Sequence, residues 1–118
     1  MYVDGFVLPV PKRNLKAYRA MATKAGKVWR EHGALDYKEC IADDVKKGKH
    51  TSFPQAVKLK AGETVWFSWI LYRNRKHRDS VNKKVMKDKR LASMMDPKKM
   101  PFDGKRMFWG GFKTFLEL

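Results

Sequence analysis

With a single cysteine, Cys40, among 118 residues, the chain has no partner for an internal disulfide, and a reducing compartment is the natural expectation. It contains no apolar run of the roughly 18 residues a membrane helix needs, and its N-terminus lacks the basic, apolar and small-residue order of a signal peptide. A cytoplasmic protein without a membrane partner is therefore expected. Acids are scarce: 12 Asp and Glu stand against 27 Lys and Arg, a formal net charge of +15. Such a field attracts polyanions, but it bears on solubility and association rather than on fold. No nucleic-acid-binding motif accompanies the charge, so a solvated basic surface is the plainer reading. Also missing are a glycine-rich phosphate loop, a Ser-His-Asp order and a redox cysteine pair. His32, His50 and His77 stand far apart, with no second His or Cys at ligand spacing, so neither a metal nor a cofactor is expected.

What the chain does have is a nearly unbroken apolar and aromatic run over residues 64–73, TVWFSWILYR, free of Gly and Pro. Its β-branched and ring residues suit a central strand. Alternation puts Val65, Phe67, Trp69 and Leu71 on one face and Trp66, Ser68, Ile70 and Tyr72 on the other, so neither face suits water. Both sides of that strand need cover.

The remaining elements follow from periodicity. Residues 2–10 alternate large apolar with small or polar residues and, bounded by Pro9 and Pro11, read as a first strand. From Asn14 to His32, Leu15, Tyr18, Ala22, Ala25, Trp29 and His32 form a helical stripe, with Asn14 placed to cap its start and Gly33 to end it. Residues 34–42 read as an outer strand with Leu35, Tyr37, Glu39 and Ile41 on one face. Residues 43–51 form a loop, and Ser52 with Gln55 has capping-box spacing for a short helix to Leu59. A second long helix is expected from Arg73 to about Leu91, with Val81, Val85 and Ala92 on its apolar stripe. Met94, Met95, Met100 and Phe102, between Pro97 and Pro101, should lie over a core edge or groove. Residues 105–118 read as a last strand, where Gly110 and Gly111 mark a bulge or a place where another backbone comes close. One domain spans residues 1–118. Strands separated by two long helices imply an α+β, ferredoxin-like βαββαβ sandwich with a short extra helix. The greasy uncovered face of its central strand predicts a homodimer stacked sheet on sheet.

Several blocks, YVDGFV over residues 2–7, DDV over 43–45, FSWI over 67–70, MPFDGKRM over 100–107 and GGF over 110–112, resemble the YbaA-like family of small uncharacterised bacterial proteins from end to end. The resemblance implies a dimeric α+β barrel, the ferredoxin-like arrangement shared by antibiotic-biosynthesis monooxygenases, haem-degrading enzymes and muconolactone isomerases. It implies no established activity and assigns no catalytic residue, and the strong basic charge departs from it.

Candidate ligand-binding residues fall in three groups. Asp103 and Arg106 flank Gly104 in a charged turn that could hold a small anionic or aromatic molecule, or could pair with each other as a simple turn. Asp4 and Glu39 are strand carboxylates whose burial would raise their pKa values, as a general base requires, although such acids more often serve structure. Trp66, Trp69 and Trp109 could line a pocket for a flat molecule or belong to the core. Ser68 lies between two of them, outside any nucleophile elbow. Lys76, Lys83, Lys87 and Arg90 recur at seven, four and three residues, a helical stripe that could meet phosphates. These features predict a dimeric binder of a small flat or anionic ligand, with a cofactor-independent oxygenase or isomerase as the activity that would suit it. The rival readings are a nucleic-acid-associated protein and a purely structural dimerisation module.

Overall fold

The computed structural model describes all 118 residues. The apolar run forms β3 (Glu63–Tyr72), paired antiparallel along its whole length with β1 (Tyr2–Pro11), from Tyr2 opposite Tyr72 to Pro11 opposite Glu63. The outer strands are β2 (Asp36–Ile41), beside β3, and β4 (Phe108–Lys113), beside β1. The resulting order is β2-β3-β1-β4 with every neighbour antiparallel. This is the ferredoxin-like arrangement, and its two crossovers are α1 (Leu15–Glu31) and the pair α3 (Arg75–Met86) and α4 (Lys89–Met94).

The side-chain alternation of β3 holds, and both of its faces are apolar. Tyr2, Val28, Ile70, Tyr72, Val81, Val85 and Leu91 form one buried cluster between the sheet and the helices. Leu8, Val10, Tyr18 and Ala22 form a second on the same side. On the opposite face only one end is covered: α2 (Phe53–Ala56) and the turn after it bring Val57 against Val7 and Val65. Beyond that cover, Phe67, Phe108 and Phe112 keep 43%, 47% and 66% of their surface exposed.

Some boundaries differ from the sequence expectation. The long helix expected over 73–91 is two helices, because Asp88 takes an extended backbone and its carboxylate accepts the backbone N–H of Arg90, capping a new start. The buried position of that second piece is Leu91, while Ala92 is exposed. Asn14 caps nothing: residues 12–14 form a 3-10 turn, and the Asn14 amide instead donates to the Pro101 carbonyl at 2.9 Å. The last strand begins only at Phe108, after a 3-10 turn over Gly104–Arg106, and ends at Lys113. At Gly111 the close approach is by a side chain and not by the backbone expected there: the ring and hydroxyl of Tyr2 fill the space of a β-carbon. Ser52 caps α2 as its spacing implies, accepting from the Gln55 N–H. Gly33 closes α1 in the left-handed region, at φ +116°.

Candidate functional site

Between sheet and helices lies a cavity of about 160 Å³. Phe6, Leu8 and Ile70 come to it from the sheet, and Tyr18, Ala22, Ala25 and Trp29 from α1. Met94, Met95, Met100, Phe102 and Met107 supply much of the remaining wall, an adaptable, polarizable surface. The methionine-rich segment thus lies where its composition and its prolines suggested. Its polar groups converge on one carboxylate. Tyr18 donates its hydroxyl to Glu39 Oε1 and Tyr37 donates to Oε2, each at 2.8 Å. Ser68, buried, stands directly across from Glu39 in the β2–β3 register and also lines the cavity.

The local sequence dictates this convergence. Alternation along β2 carries Tyr37 and Glu39 to the helix-facing side, and the stripe of α1 carries Tyr18 to meet them. Burial raises the pKa of Glu39, and the two tyrosine hydrogen bonds only partly oppose it. Burial and the neighbouring carboxylate also raise both tyrosines, which therefore remain donors. No Lys or Arg lines the cavity.

A pH signature follows. An acid whose folded pKa lies above its unfolded value holds its proton more tightly when folded. Its contribution to stability is therefore complete below the ordinary carboxylate pKa and lost as pH rises through the raised one. Glu39→Gln has no such loss, so its melting temperature relative to wild type should climb as pH rises from about 4 towards neutrality. A pH-independent difference between the two melting curves would mean that Glu39 titrates at its ordinary value.

The other sequence candidates are dispersed. Asp4 is 1% exposed and 3.7 Å from Arg78 Nη1, and it does not line the cavity. Burial raises its pKa and Arg78 works against that. Trp66 lies near the site, its ring centroid 4.7 Å from that of Tyr18. Trp69 is on the opposite sheet face, with the Lys38 ammonium 5.6 Å from its ring centroid. Trp109 is on the edge strand, stacked at 6.0 Å on Phe6 and half exposed. The Asp103 turn lies outside the cavity: Arg106 is forked onto Glu63 at 2.7 and 2.6 Å, and its Nε donates to Asp103 at 3.0 Å. Lys76, Lys83, Lys87 and Arg90 are all exposed, but the break after Met86 divides them between α3, the connecting turn and α4. Arg90 is also held by Asp88 and Glu31, so the four do not form one free stripe.

Of the sequence candidates, Glu39 and Ser68 meet at this cavity; Tyr18 and Tyr37, the groups that hold the carboxylate, were not among them. The available signal was placement: Tyr37 is two residues before Glu39 on the same strand face, and Tyr18 is on the buried stripe of α1.

The family described as "Protein of unknown function (DUF1428)" matches residues 1–104. "Uncharacterized protein YbaA" of Escherichia coli strain K12 is 48% identical over 116 residues, covering 98% of this chain and 97% of its own. The protein of the same description from Shigella flexneri matches to the same extent. An uncharacterized NIPSNAP domain protein from Burkholderia xenovorans shares the fold, with a TM-score of 0.57 at 10% identity and 99% of both chains covered. Matched over most of its length by the family and over nearly all of it by YbaA, the chain belongs to the DUF1428 family.

Proposed function

We propose that the protein is a cytoplasmic homodimer that binds a small, flat, mainly apolar molecule in the cavity between sheet and helices, with Glu39 receiving its one polar hydrogen. The observation that carries this reading is a carboxylate clasped by two tyrosines in a wall that, Ser68 apart, is otherwise apolar. Such an arrangement positions a single acceptor without offering a cation, so it favours a neutral donor over an anion. The raised pKa suits Glu39 to take a proton from a bound molecule, the first step of a cofactor-independent isomerase or oxygenase.

The test uses 1-naphthol and naphthalene, which differ by one hydroxyl, with affinity measured by calorimetry. Glu39→Gln should weaken naphthol binding by roughly tenfold, the worth of one charge-assisted hydrogen bond, and leave naphthalene unchanged. If the variant treats the two ligands alike, Glu39 is not the acceptor. Native mass spectrometry of the purified protein would report the dimer and any retained ligand together.

A further inference from the structure

The Tyr18, Glu39 and Tyr37 cluster is also a wall with a second side. Beyond it, between α1 and β2, runs an open groove of about 760 Å³, large enough for a mononucleotide-sized molecule. Tyr37 and Trp66 line it with rings that are only partly buried. The Tyr37 ring can lie there because residue 26 is glycine; a β-carbon at that position would stand 2.9 Å from two of its ring carbons. The buried indole N–H of Trp66 finds no partner within the fold.

The charges of this groove are not balanced as a count would suggest. Arg19, Lys27 and Arg30 line it, and so do Glu31, Asp36 and Glu39. Each acid is already engaged: Glu31 with Arg90 at 2.7 Å, Asp36 with Lys38 at 2.6 Å, and Glu39 with its two tyrosines. The cations are not. Neither Arg19 nor Lys27 forms an ion pair. Arg30 is steadied by donating Nη1 to the Ala34 and Leu35 carbonyls, which leaves its other N–H groups available. A fixed guanidinium, two unpaired cations and two partly open rings in one groove match a flat ring joined to a phosphate.

We infer that the groove between α1 and β2 is a nucleotide site, with the base against Tyr37 and Trp66 and the phosphate met by Arg19, Lys27 and Arg30. The nucleotide can be free or part of a single strand, since both present the same chemistry. This inference is independent of the inner cavity and its ligand.

Calorimetric titrations with thymidine monophosphate, inorganic phosphate and an octamer of thymidylate separate the possibilities. The variants are Arg19→Gln with Lys27→Gln and, as a control that removes equal charge elsewhere, Lys83→Gln with Lys87→Gln. All four positions are exposed, so both proteins should fold, with melting curves as the check. The monophosphate should bind at least about tenfold more tightly than phosphate, and the groove variant should lose about tenfold while the control changes less than about twofold. The same pattern with the octamer alone assigns the site to a strand instead of a free nucleotide. Equal losses from the two double variants, phosphate binding as tightly as the monophosphate, or no binding of either nucleotide probe would overturn the inference. Displacement of the monophosphate by 1-naphthol would also overturn it, by putting both ligands in the inner cavity.

Discussion

Replacing Arg106 by Ala should lower stability by roughly 2 to 3 kcal/mol while leaving 1-naphthol binding unchanged. The side chains of Arg106 and Glu63 keep only 13% and 8% of their surface exposed, and two short parallel hydrogen bonds join them. Removing the guanidinium strands a largely buried carboxylate, which costs more than the pair contributes net. The same guanidinium donates to the Lys58 carbonyl at 3.1 Å, so it ties the start of β3, the turn after α2 and its own turn together. The urea midpoint should fall with little change in slope, because the surface exposed on unfolding is unchanged. Removing Glu63 as well should cost less than the sum of the single changes, since no orphan charge then remains. Asp103, exposed at the rim, should matter far less. A variant of Arg106 with normal stability and lost naphthol binding would instead make the turn part of the ligand site.

This pairing marks the limit of what the chain discloses. Periodicity is local, so β3, the stripe of α1, the Ser52 cap and the alternation carrying Glu39 inward could all be read directly. The partner of Arg106 is 43 residues away on another element, and the nearer Asp103 offers a plausible but lesser partner. The break at Asp88 was concealed for the same reason. Lysines on both sides sustain a helical pattern, while what stabilises the break is the Asp88 carboxylate meeting His32 at 2.9 Å, a residue at the end of α1. The role of Tyr37 was hidden because a strand pattern shows which face a ring occupies and not where its hydroxyl ends. Trp69 was harder still. Both faces of β3 are apolar, so nothing in its alternation says which one the helices cover.

The face the helices leave open leads to the second large effect. Phe67→Lys combined with Phe112→Lys should convert a dimer into a monomer, raising the dissociation constant roughly a thousandfold or more, because each aromatic occurs twice in a two-fold interface and central aromatics contribute about 2 kcal/mol or more apiece. Phe67 and Phe108 flank Val7 on either side of β1, and Phe112 flanks Val3 across from Leu71, so the exposed rings share one sheet face with Trp69 and Leu71. Exposed apolar surface of that kind is what a second copy of the chain would cover. Neither ring lies in the helix-side clusters, so the double variant should keep most of its thermal stability measured as a monomer. Sedimentation equilibrium at micromolar concentration should give about twice the chain mass for wild type and the chain mass for the variant. Lys83→Glu with Lys87→Glu, on the helix side, changes charge by more and should leave the dimer intact. If wild type sediments as a monomer at high concentration, the open sheet face is not a self-association surface.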